Sequence, residues 1–112
     1  MAFQSITPAK LGQGSIGVAL TTRYTTPAST RTLVKDITIC NTSTTAAINV
    51  SVYLVPNAGT AGATNILISN AQLPPSGIFQ WTGLAVMNAG DFIQDVASAT
   101  GCTINISGGE AV

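Results

Sequence analysis

Ile48-Asn49-Val50-Ser51-Val52-Tyr53-Leu54-Val55-Pro56-Asn57-Ala58-Gly59 is the stretch whose reading decides the fold. Ile48, Val50, Val52 and Leu54 share one parity, and Asn49, Ser51 and Tyr53 share the other. A period of two puts alternate side chains on opposite faces of an extended strand, one face packing and the other meeting a polar surround. The polar face here is neutral rather than charged. Pro56-Asn57-Ala58-Gly59 then supplies the residues a turn requires.

The same grammar extends in both directions. Arg31 to Asn41 reads as a strand in which Leu33, Ile37 and Ile39 share a parity, closed by the polar turn Asn41-Thr42-Ser43-Thr44-Thr45. Further strands are expected over 65–73, 78–86, 92–97 and 102–107, the last with Ile104 and Ile106 inward. Pro74-Pro75-Ser76-Gly77, Asn88-Ala89-Gly90-Asp91 and Ala99-Thr100-Gly101 separate them. A first strand is expected from about Ile16 to Thr25, before Pro27-Ala28-Ser29-Thr30. About seven short β-branched strands with frequent turn residues, and no 3.6-residue apolar period, indicate an all-β chain: a single antiparallel β-sandwich, Ig-like or jelly-roll-like. Residues 1–14, which mix Phe3, Ile6 and Leu11 with Pro8, Gly12 and Gly14, read as a flexible N-terminal arm, either a frayed terminus or a segment that orders on a neighbouring subunit. Residues 15–112 form the sandwich domain.

Charge is almost absent. Four Lys or Arg and four Asp or Glu among 112 residues give a net charge of zero, whereas about a quarter of an ordinary domain is charged. No charged residue occurs between Asp36 and Asp91. Such a chain has no basic surface for phosphates, so nucleic acid is not an expected partner. Nor is a membrane, because Thr, Ser, Asn and Gln interrupt every apolar run well before the ~18 residues a spanning helix needs. The start, Met1-Ala2-Phe3-Gln4-Ser5, lacks the basic-then-apolar order of a secretory signal, so synthesis in the cytoplasm is expected. Isolated sandwiches protect their edge strands with Lys, Pro or inward charges. Between Ile37 and Gly90 only Pro56, Pro74 and Pro75 could do so, and an uncharged edge is best kept soluble by a protein partner covering it.

The chemistry-bearing patterns are sparse. Gly12-Gln13-Gly14-Ser15-Ile16-Gly17 matches the dinucleotide-binding glycine spacing, but that chemistry needs a strand before it and a helix N-terminus after it. Pro8-Ala9-Lys10 precedes it and a Thr-rich strand follows, so no cofactor is expected. With no histidine in the chain, Ser-His-Asp and Cys-His catalysis are excluded. Asp91 and Asp95 lie roughly 13 Å apart along an extended strand, too far for paired carboxylate hydrolysis and too few for a calcium site. Asp91 after Gly90 reads as a turn residue. Cys40 and Cys102 read as reduced thiols; two cysteines without histidine do not make a zinc site. Asn41-Thr42-Ser43, Asn49-Val50-Ser51 and Asn105-Ile106-Ser107 match glycosylation acceptors only by coincidence in so Ser- and Thr-rich a chain. Neither a catalytic residue nor a metal is indicated.

Two stretches, Thr25-Thr26-Pro27-Ala28-Ser29-Thr30-Arg31-Thr32-Leu33-Val34-Lys35-Asp36-Ile37 and Ile39-Cys40-Asn41-Thr42, combine with Val52-Tyr53-Leu54-Val55-Pro56 and Leu84-Ala85-Val86-Met87-Asn88-Ala89-Gly90-Asp91-Phe92-Ile93. Together they resemble small accessory virion structural proteins of tailed bacteriophages, over about Leu20 to Gly108. The shared features are turn and strand signatures, not site signatures. The resemblance implies a β-sandwich building block of a particle, oligomeric and in contact with other virion proteins, either the major capsid protein or tail proteins. Capsid decoration (a cement protein) is the expected role, because the chain is short and has no separate receptor-binding domain. A tail or fibre-base subunit is the structural alternative. The expected interface residues are Phe3 and Leu11 in the arm, with Tyr53, Phe79 and Trp81. A carbohydrate-binding module contacting a host glycan through Trp81, Tyr53 and Asp91 is the alternative of a different class.

Overall fold

The computed structural model describes residues 6–112. Eight strands follow one another: β1 (Ile6–Ile16), β2 (Thr21–Thr25), β3 (Arg31–Asn41), β4 (Ile48–Val55), β5 (Ile66–Leu73), β6 (Ile78–Met87), β7 (Phe92–Ala97) and β8 (Cys102–Ala111). They form two four-stranded antiparallel sheets, ordered β1-β8-β3-β6 and β2-β7-β4-β5. The chain passes between the sheets at every connection except β4 to β5. That strand order is the double Greek key of an eight-stranded jelly roll, which settles the choice left open by the sequence.

Alternation builds the core. Ile48, Val50 and Val52 of β4, with Ile93 of β7 in the same sheet, face Ile37 and Ile39 of β3 and Ile104 and Ile106 of β8, all at most 1% exposed. Each fully buried side chain of this size stabilises the fold by roughly 1.5–3 kcal/mol. The inward set of β3 differs from the expected one. A bulge between Val34 and Asp36 inserts Lys35 as an extra residue against β8. The parity therefore changes there: Thr32 and Val34 point inward with Ile37 and Ile39, and Leu33 does not.

The N-terminal expectation also changes. Residues 1–5, including Phe3, lie outside the described residues. From Ile6 the chain is not a free arm but the edge strand β1, paired along its length with β8. Leu11, expected to be an interface residue, is buried in the core at 4% exposure. Breaker residues suggested an arm, yet an edge strand tolerates Pro8 because one side of its backbone needs no ladder bond. The remaining strand boundaries fall within a few residues of those read from the sequence. The exception is the long segment expected over 16–25, which divides at residues 17–20 into the end of β1 and the short β2.

Candidate assembly surface

Most of the charged side chains are engaged within the fold. Asp95 on β7 is fully buried and receives a two-point fork from Arg23, Nε to Oδ2 at 2.7 Å and Nη2 to Oδ1 at 2.8 Å. Arg23 Nη2 also donates to the Ser15 carbonyl at 3.0 Å. Arg23 occupies a bulge in β2, between Thr22 and Tyr24, and its side chain lies against Gly12, Gly14 and Ser15 of β1 in the other sheet. Hydrogen bonding to Asp95 raises its guanidinium above the ordinary range, against the opposing effect of burial. A Cβ on Gly12 would lie 2.7 Å from Arg23 Cγ, and one on Gly14 would lie 2.7 Å from Arg23 Nη1. The glycine pattern is thus a strand making room for a guanidinium, with no helix beside it to receive a pyrophosphate.

The next residue of β2, Tyr24, ties the two sheets together. Its hydroxyl donates to Glu110 on β8 and bonds Thr32 on β3 at 2.8 Å. Burial, and then the bond to Glu110, push the phenol up to about 12. Asp91 is a turn residue as its sequence context indicates, accepting the backbone N–H groups of Asn57 and Asn88, each at 2.9 Å. Asp91 and Asp95 therefore hold separate partners and form no common site. Asp36 accepts from Thr38 at 3.1 Å and from Gln80 Nε2 at 3.2 Å. Among the described residues no group of three potential metal ligands gathers. Cys40 and Cys102 are both free. They sit in adjacent register positions of β3 and β8, but Cys102 points into the core and Cys40 to the other face. Burial pushes the Cys102 thiol up, with a smaller contribution from Cys40.

The four edges of the sandwich are unequal. On one side, β1 carries Pro8, Lys10 and a bulge between Lys10 and Gly12, while β2 is five residues long and bulged. These are the usual protections against edge pairing. On the other side lie β5 and β6, neither holding a charge or a proline. β5 is interrupted by two irregularities against β4 and by Asn70 at φ 49°. β6 is ten residues long, and from Ile78 to Thr82 it pairs regularly with β3, leaving its opposite side open. Its outward residues Ile78, Leu84 and Val86 are 69%, 60% and 51% exposed. The neutral run from residue 37 to 90 thus folds to place both of its edge strands on one side of the molecule.

The expected interface residues distribute as follows. Phe79 and Trp81 lie on the inward face of β6, partly buried against the core at the open edge. Trp81 covers Gly83, where a Cβ would lie 3.2 Å from the indole ring. Tyr53 is on the outward face of the opposite sheet, between Gln94 and Ile66. Tyr53 and Trp81 therefore cannot form one stacking platform, and Asp91 is occupied by its own turn. Ile78, Leu84 and Val86 were not singled out by sequence reasoning. Their signal was present as the absence of charge on a strand, but only the topology makes that strand an edge.

No protein-family model matches the chain, and no curated protein matches it. Solved structures of the Gx strain of infectious bursal disease virus and of a subviral particle of that virus are similar to it at 10% identity, with TM-scores of 0.49 and 0.45. Each alignment covers 96% of this chain and 32% of the viral chain, so the chain spans about a third of the length of those proteins. Likeness of this degree carries no functional argument.

Proposed function

We propose that this chain is a non-enzymatic structural subunit of a virion, and within that class a capsid decoration (cement) protein of a tailed bacteriophage. It would be made in the host cytoplasm and incorporated into the particle. The single observation that supports this reading most is the contrast between the two sides of the sandwich. The β1–β2 side carries proline, lysine and bulges, whereas the β5–β6 side is uncharged and exposes Ile78, Leu84 and Val86. An open edge of this kind is a template for protein contact. Jelly rolls serve capsids, lectins and cupins alike, so architecture alone does not choose among them.

The mechanism is mechanical. Apolar area removed from water at a contact contributes ~25 cal/mol per Å² and, unlike an ion pair, is not screened by salt. A subunit of this composition would tie its neighbours together across a wide range of ionic strength. A tail or fibre-base subunit would use the same surface. Copy number separates the two: stoichiometry matching the capsid lattice supports decoration, and a few copies on the particle axis support the tail. Absence of the chain from purified particles overturns both.

A further inference from the structure

We propose that β6 pairs antiparallel with β6 of a second copy, centred on Gln80, so that the two four-stranded sheets containing β6 become one continuous sheet. This inference rests on the assembly reading above and names the first partner of that surface.

The regular part of the open edge is Ile78-Phe79-Gln80-Trp81-Thr82. A two-fold contact requires a strand compatible with its own reverse, because each residue meets the residue equally far beyond the axis. Centred on Gln80, this segment satisfies that condition on both faces. Inward, Phe79 lies beside the partner's Trp81, and Trp81 beside the partner's Phe79. Both rings are only partly buried within one copy, where they already pack against the core. The second copy would complete their burial with aromatic cross-strand pairs, which are among the favourable pairings of antiparallel sheets. Outward, Ile78, 69% exposed, lies beside the partner's Thr82. Gln80 meets the partner's Gln80 on the axis, and a primary amide both donates and accepts. Gln80 Nε2 is directed to both carboxylate oxygens of Asp36, at 3.4 and 3.2 Å, which leaves its carbonyl oxygen to accept from the partner. The strand holds no charge, so no like charges meet across the axis.

Charge complementarity would favour a foreign strand only if β6 offered a charge to match. The edge instead offers two aromatic rings flanking an amide in a self-complementary order. Neither phase of the hydrogen-bond ladder alters this register. If Gln80 faces the partner through its backbone the closely bonded pair is Gln80 with the partner's Gln80, and otherwise it is Phe79 with the partner's Trp81.

The test uses the full chain with Cys40→Ser, to remove the partly exposed native thiol, and Gln80→Cys to place a thiol beside the axis. Mild oxidation should convert this variant to a disulfide-linked dimer, whereas Ser69→Cys on the β5 edge should remain monomeric. Gln80→Lys, which sets two ammonium groups against each other on the axis, should shift the sedimenting species of the otherwise native chain from dimer to monomer. Circular dichroism unchanged from the parent confirms that each variant is folded. The pairing is overturned if Gln80→Cys cross-links no better than Ser69→Cys, or if Gln80→Lys sediments as the parent does. A chain that fails these tests yet is recovered in purified particles overturns the pairing alone. A chain that passes them but is absent from particles leaves the pairing standing and overturns the virion assignment.

Discussion

Arg23 and Asp95, on adjacent strands, meet in a bidentate fork of 2.7 and 2.8 Å, with the carboxylate wholly buried and the guanidinium side chain 14% exposed. Removing one member of such a pair leaves the other buried and uncompensated. Asp95→Ala should destabilise the fold by about 3 kcal/mol, read as a lower denaturant midpoint. Gly14→Ala should also destabilise, because its new methyl group would lie 2.7 Å from Arg23 Nη1, which the fork to Asp95 holds in place. The two effects should be less than additive, since both act through Arg23. Full additivity would mean that Gly14 is required for another reason.

The phenol of Tyr24 makes stability depend on alkaline pH. Its ionisation is raised from the ordinary value of 10 to about 12 in the folded chain, by burial first and by Glu110 second. Protons therefore leave the unfolded chain before the folded one, and stability falls as pH rises between those two values. The contribution is fully present below pH 10 and lost by about pH 12. Denaturant midpoints measured across this window should decline more steeply for the parent than for Tyr24→Phe. Parallel curves would show that Tyr24 titrates normally.

Asn41 clasps the end of the sandwich. It is fully buried, its amide nitrogen lies 2.8–3.2 Å from the carbonyl oxygens of Ala46, Leu73 and Pro74, and its amide oxygen accepts from the Ser43 N–H at 3.0 Å. Asn41→Ala should cost about 2–3 kcal/mol by leaving these groups unpaired. Asn41→Asp should cost more despite equal size, because it turns an acceptor toward three acceptors. Thermal melts of the two variants test the order.

The cysteines should behave independently. Cys40 should react with a thiol reagent in the native protein, and Cys102 only after denaturation, because its side chain is wholly buried. Reductant should leave the unfolding midpoint unchanged. A midpoint lowered by reductant would reveal a disulfide.

The strands were legible wherever alternation ran unbroken, as in β4, where each inward residue is apolar and each outward one neutral. β1 was not legible, because Gly12 and Gly14 read locally as breakers. Their cause, the guanidinium of Arg23, arrives from another strand. Leu33 shares the sequence parity of Ile37 and Ile39 but not their face, because a single extra residue, Lys35, reverses parity and no local signal marks it. Trp81 and Tyr53 could be recognised as amphipathic aromatics, yet only the strand order shows that they belong to opposite sheets and opposite faces. The uncharged run raises the expectation of a covered surface. The fold places both of that run's edge strands on the β5–β6 side, which we propose is the covered one.

Electron cryo-microscopy of the assembled particle tests that identification most directly. Density for the jelly roll should place β5 and β6 against neighbouring subunits, with Ile78, Leu84 and Val86 buried and the β1–β2 edge turned to solvent. A particle in which β6 faces solvent while the β1–β2 side makes the contacts would contradict it.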